Sequence, residues 1–371
     1  MMLSPSLPLT IVAVILLTGC TAPPRSGTTS SPPASAPADA LRPIGDPTVL
    51  ATGLAAPWSI VRLGTTDSTL ISERDSGTVV EREPSGQLRT VGVVPGVVHA
   101  GEGGLLGLAV DPSDSDHWLY AYLTTATDNR IVRMPLLSTS GSYRLGAVSP
   151  ILTGLAKAAN HDGGRIAFGP DGMLYATVGD AGQPSRAQDP ASLNGKILRM
   201  TPTGAAPRDN PINGSLVYSL GHRNPQGIAW DADGQLWAAE FGQSTWDEFN
   251  RIEPGGNYGW PEIEGIGSKK GFIDPVYQWP TAEASPSGLA FVGGTFFLTA
   301  LRGERLWAIS PGSNAATALP FLTGSLGRLR DAVPGPDGSL WLLTNNTDGR
   351  GSAAKEDDKL VEVRLDVART G

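Results

Sequence analysis

The 371-residue chain contains a single cysteine, which excludes a disulfide framework and a thiolate metal cluster. Charged residues make up only 17%, against roughly a quarter of an ordinary soluble domain, so coiled coils and long amphipathic helices are excluded. Twenty-eight Lys and Arg face 36 Asp and Glu, a net charge of −8 with no basic block. The phosphate attraction on which nucleic-acid binding rests is therefore missing, and nucleic acid is not an expected partner. Absent too are GxGxxG, a Gly-rich loop ending in Gly-Lys-Ser/Thr, a Gly-x-Ser-x-Gly elbow and a His-Glu-x-x-His helix, which removes the usual grounds for a nucleotide cofactor, serine hydrolysis or a zinc protease. The apolar run Leu7 to Leu17 is too short for the roughly 20 residues of a membrane-spanning helix.

That run reads as the core of a signal peptide over residues 1–19. It closes on Leu17-Thr18-Gly19-Cys20, which resembles a bacterial lipoprotein processing site, so Cys20 is the expected lipidation point and new N-terminus. Residues 20–46 are rich in Ser, Thr, Pro and Ala, too polar to offset the entropy of ordering, and read as a tether. The expected folded body is residues 47–371, held outside the cytoplasm at a membrane surface.

What the chain has in abundance is turn residues. Its 47 glycines and 31 prolines punctuate one recurring unit, a short apolar strand, an Asp/Gly turn and a second strand. Copies start near residues 58, 108, 166, 228, 289 and 331; Arg165-Ile166-Ala167-Phe168 followed by Asp171-Gly172 and Leu174-Tyr175 is typical. The spacing suits four strands per copy, and Asp-Gly supplies the positive φ that hairpin turns demand. The fold class is all-β, a six-bladed β-propeller of four-stranded antiparallel blades. A β-sandwich with coincidental turns does not repeat one unit six times.

The loops before these strands carry the chemistry. His161, one of four histidines, lies in Asn160-His161-Asp162-Gly163-Gly164-Arg165, and Asp180 ends the following hairpin. If both loops share one mouth, a carboxylate orients an imidazole and raises its basicity, as a general base requires; the bland alternative is a turn histidine bonded to backbone. Gly221-His222-Arg223-Asn224-Pro225-Gln226 occupies the equivalent place before the fourth repeat, Arg328 and Arg330 before the sixth, and Arg302 precedes a strand of the fifth. Four loop arginines in an acidic chain suggest an anionic ligand, because guanidinium pairs with carboxylate as a fork; singly, each could be a solvated surface arginine. The loops Glu240-Phe241-Gly242-Gln243 and Gly255-Gly256-Asn257-Tyr258-Gly259-Trp260 offer carbonyl oxygens of the kind Ca²⁺ accepts.

In this order, these segments resemble the soluble sugar dehydrogenases that use pyrroloquinoline quinone (PQQ), the glucose/sorbosone and aldose sugar dehydrogenase family, over about residues 48–365. The resemblance implies that His161 is the base for the sugar's anomeric hydroxyl with Asp180 as its orienting partner. It further implies that Arg223 stabilises charge growing on the quinone oxygen and Asn224 holds the cofactor beside it. Arg302, Arg328 and Arg330 match positions that neutralise the cofactor's carboxylates, Glu102 lies at a mouth-lining position, and Gly242, Gln243 and Tyr258 fall in the calcium-binding segments. Three departures stand out: Arg302 replaces a common lysine, Glu102 a common glutamine and Gln243 a common proline. No long insertions narrow the cleft, so broad aldose use is expected. The implied partners are an aldose, an external electron acceptor and, through Cys20, a membrane. Two other classes remain open, a calcium-dependent propeller lactonase and a non-catalytic carbohydrate-binding lipoprotein.

Overall fold

The structure is a computed structural model, and it describes residues 1–2, 40–64, 66–113, 118–312 and 315–367. Cys20, residues 3–19 of the expected signal peptide and residues 20–39 of the expected tether lie outside the described residues. Among the described residues, no helix is long and apolar enough to cross a membrane.

Among the described residues, twenty-five strands form six antiparallel sheets, five with four strands and one with an additional two-residue strand. The innermost strands, in chain order, are Pro57–Arg62, Leu105–Val110, Ile166–Phe168, Pro225–Trp230, Pro286–Val292 and Leu329–Pro334, at the six positions the sequence repeat marks. Turn chemistry explains the register. In the third blade Asp171 accepts the Met173 N–H at 3.0 Å while Gly172 takes a φ of +73°, and in the fourth Asp231 accepts from Asp233 and Gln235 while Gly234 takes +78°. Blade faces bury apolar side chains against their neighbours. Between blades four and five, Trp237 stacks on Phe249 at 4.9 Å and meets Phe296 at 5.3 Å, each ring contributing roughly 1.5–3 kcal/mol by burial.

The ring is closed by the chain's own beginning. Leu41–Ala51 pairs antiparallel with Leu360–Val367 and becomes the outer strand of the sixth blade. Residues 41–46, assigned to the tether on composition, therefore belong to the propeller. Composition misleads there because an edge strand exposed on one face needs few apolar residues.

A polar belt fills the waist of the central channel. Arg165 of blade three donates to Asp331 of blade six at 2.9 Å and to the Gln226 carbonyl at 2.9 Å. Arg330 donates to Gln226 and Asn345, and both guanidiniums lie against Trp58, at 4.3 and 5.7 Å. Burial pushes the Asp331 carboxyl upward, an effect Arg165 opposes. This belt forms the floor on which one channel mouth is built.

Candidate active site

His161 and Asp180 meet as the sequence leads one to expect. Nδ1 of His161 lies 2.7 Å from Asp180 Oδ1, and Asp180 is fully buried. The histidine adopts a φ of +60°, an uncommon conformation for a residue with a side chain. What over-determines it is packing. A Cβ on Gly163 would sit 2.5 Å from the Thr177 carbonyl, and one on Gly164 2.5 Å from Leu106, so only glycines let the loop lie this close to its neighbours. Asp180 also accepts from Gly182 N–H at 2.8 Å and from the Trp260 indole at 2.9 Å. A neutral imidazole that donates its Nδ1–H to the Asp180 carboxylate keeps the Nε2 lone pair free.

Arg223 lies over the Trp260 ring at 5.5 Å and donates through Nη1 to the Gly242 carbonyl at 2.6 Å, while its buried Nε has no partner. Burial lowers the Arg223 pKa, opposed by Asp180, Glu240, Glu264 and Glu102. Asn224 is buried, and its side-chain oxygen accepts the Gly163 N–H at 3.0 Å. That oxygen anchors the histidine loop.

Next to Glu102, whose carboxylate accepts the His161 backbone N–H, opens a cavity of about 200 Å³ lined by Arg74, Arg302, Arg328, Arg330 and Arg350, with Glu102 itself and the Trp58 floor. Three of the four arginines read from sequence, Arg302, Arg328 and Arg330, converge here, whereas Arg223 lines a smaller neighbouring cavity. Arg74 and Arg350 were missed, yet both sit in the turn after a blade's second strand, as Arg302 and Asp180 do, and that shared position is the signal that would have found them. Glu102 accepts the His161 backbone N–H at 3.0 Å through one oxygen and Arg350 at 3.0 Å through the other. Asp348 accepts Arg328 at 3.0 Å; although burial works the other way, Arg328 and Arg330 hold its carboxyl below the ordinary range. Burial lowers Arg330 to about 9, with Arg74 and Arg328 adding to the effect.

Five guanidiniums against three carboxylates, Asp75, Glu102 and Asp348, with Arg328 Nε buried and unpartnered, make a cavity short of negative charge. A rigid tricarboxylate such as PQQ fits that demand, and Arg302, Arg328 and Arg330 would hold its carboxylates. For Ca²⁺ the candidate hard oxygens are those of Gly242, Glu240, Glu248 and Glu264, which surround a small adjoining cavity with Arg223 and Trp260; Gln243 does not line it. Glu264 shapes that turn by accepting four consecutive N–H groups, from Gln243 to Trp246. Tyr258 is not brought into this group through its phenol, which donates to the Arg251 carbonyl at 2.6 Å and accepts the Glu253 N–H. Among the described residues, no three His, Cys, Asp or Glu side chains cluster as metal ligands.

Comparison with known proteins agrees with this geometry. A solved structure of the PQQ-bound form of aldose sugar dehydrogenase from Streptomyces coelicolor superposes with a TM-score of 0.84 at 50% identity, covering 89% of this chain and 99% of that one. Aldose sugar dehydrogenase YliI of Escherichia coli is 31% identical over 344 residues, 81% of this chain and 90% of that enzyme. Quinoprotein glucose dehydrogenase B of Acinetobacter calcoaceticus is 33% identical over 268 residues, 63% of this chain and just over half, 56%, of that relative. A family model described as glucose/sorbosone dehydrogenase matches residues 54–354, and the chain belongs to that family of PQQ-dependent sugar dehydrogenases.

Proposed function

We propose that the chain oxidises the anomeric C1 hydroxyl of aldoses to lactones, with PQQ and Ca²⁺ as cofactors, and passes the electrons to an external acceptor. The observation that carries this reading is the His161–Asp180 contact of 2.7 Å, linked through Glu102 to a cavity lined by five arginines. When bound, PQQ supplies a two-electron acceptor and Ca²⁺ the Lewis acid that polarises it.

The protein's part is positional and electrostatic. Nε2 of His161 takes the hydroxyl proton, and Asp180 stabilises the imidazolium that results, an ion pair worth about 4 kcal/mol at an effective dielectric of 20. Arg302, Arg328 and Arg330 bind carboxylates, and Arg223, already desolvated, aims its charge where negative charge grows. Lipidation at Cys20 would hold the enzyme on the outer side of a membrane. A propeller lactonase needs metal-bound carboxylates converging on the mouth; here guanidiniums converge. A sugar-binding lipoprotein has no use for an oriented base.

The test adds PQQ and Ca²⁺ to purified protein and follows dye reduction with several aldoses. Turnover with a range of aldoses is expected. Absence of both turnover and PQQ uptake overturns the proposal in favour of a binding protein.

A further inference from the structure

Behind the cavity lies a second histidine–carboxylate contact. Ser219 Oγ is 2.8 Å from His222 Nε2, and His222 Nδ1 is 2.8 Å from Glu240 Oε2. The order Ser, His, Glu is that of a hydrolase triad, but Ser219 and His222 are fully buried and the Tyr258 ring stacks on the imidazole at 4.8 Å. No substrate reaches this serine, so the constellation does not act as a nucleophile.

Its outward end shows its use. The other Glu240 oxygen, Oε1, accepts the backbone N–H of Arg223 and, at 3.1 Å, that of Asn224. Asn224 in turn accepts the Gly163 N–H two residues after His161, and the Arg223 carbonyl accepts the Asp180 N–H at 2.9 Å. One carboxylate thus fixes the peptide that presents Arg223, and through Asn224 and Asp180 it reaches both sides of the histidine loop. Because Glu240 accepts two backbone N–H groups, its charge is oriented by the main chain. His222 completes its shell from a Nδ1–H, with Ser219 donating to Nε2.

We propose that Glu240 is a positioning residue for the sugar-oxidation site, with His222 and Ser219 as its buttress, setting Arg223 and the His161 loop in register across blades three and four. This inference rests on the proposed function. A displacement of about 1 Å in such a constellation costs on the order of a hundredfold in rate.

The test compares wild type with Glu240→Ala, Glu240→Gln and Glu240→Asp by PQQ titration, read from tryptophan fluorescence, and by steady-state turnover. Glu240→Ala should lower kcat on the order of a hundredfold and weaken PQQ binding, with KM for the aldose little changed. Glu240→Gln retains an acceptor oxygen for both N–H groups and should recover most of the loss. Glu240→Asp keeps the charge but not the reach, so it should resemble alanine; it also serves as the test if the alanine variant does not fold. Folded Ala or Asp variants with wild-type kcat and PQQ affinity overturn the inference, as does a Gln variant no better than Ala. If wild type itself neither takes up PQQ nor turns over, it is the proposed function that fails.

Discussion

Replacing Asp180 with asparagine is the sharpest perturbation of the proposed chemistry, because the substitution is nearly isosteric and each partner of the carboxylate is known. Oδ1 accepts from His161 Nδ1 and Gly182 N–H, and Oδ2 accepts from the Trp260 indole. An asparagine that keeps its oxygen toward His161 sets its NH₂ against the indole N–H. One that flips sets the NH₂ against Gly182 and forces His161 to carry its proton on Nε2, which removes the base. In the first orientation the buried indole N–H loses its acceptor, at about 1–3 kcal/mol of stability; in the second the N–H that loses its acceptor belongs to exposed Gly182. In both, the charge that stabilises the imidazolium is gone. About 4 kcal/mol at an effective dielectric of 20 corresponds to a fall in kcat on the order of a thousandfold, within the 10²–10⁴ that general-base catalysis contributes. The assay is dye reduction at saturating aldose with PQQ and Ca²⁺ present, alongside a PQQ titration that should be little changed. An Asp180→Asn enzyme within about threefold of wild-type kcat would refute the assignment of His161 as an oriented base.

Other outcomes follow from the same geometry. Arg328→Ala and Arg330→Ala should each weaken PQQ binding by about ten- to a hundredfold, the range for losing one charge-assisted contact, with less than additive effects in the double variant because both share Asp348; fluorescence titration measures this. Chelation with EGTA should abolish turnover and added Ca²⁺ restore it. Burial and the neighbouring Glu240 raise Glu248 to about 8, whereas an unfolded glutamate ionises near 4.3. Between these values the folded state holds a proton that the unfolded state has lost, so this group's contribution falls as pH rises from about 4.5 to 8. The Glu248→Gln melting temperature should therefore depend less on pH across that window than the wild-type value.

The propeller was legible because its information is local and repeated. An apolar strand and an Asp-Gly turn specify a hairpin wherever they occur, and six copies specify the ring. The closing strand at Leu41 was not legible, since its partner lies more than 300 residues away at Leu360–Val367 and nothing in its own composition announces the pairing. The His161, Arg223 and Arg328–Arg330 segments could be read because each leads into an inner strand, and Arg302 because it stands before a strand of the fifth blade. Arg74 and Arg350 escaped because the sequence shows no motif around them; only the three-dimensional equivalence of the blade turns unites them. Whether a polar side chain faces a ligand or the protein was equally hidden. Asn224 turned out to hold Gly163, Glu102 to hold His161 and Arg350, and Tyr258 to hold its own blade, because hydrogen-bond partners distant in sequence decide where such groups point.

The most direct measurement is a crystal structure of the protein loaded with PQQ and Ca²⁺. The account predicts the quinone in the arginine-lined cavity, its carboxylates on Arg302, Arg328 and Arg330, and His161 Nε2 facing the ring with Asp180 still on Nδ1. Quinone bound at another surface, or in that cavity with His161 turned away from it, would contradict the account.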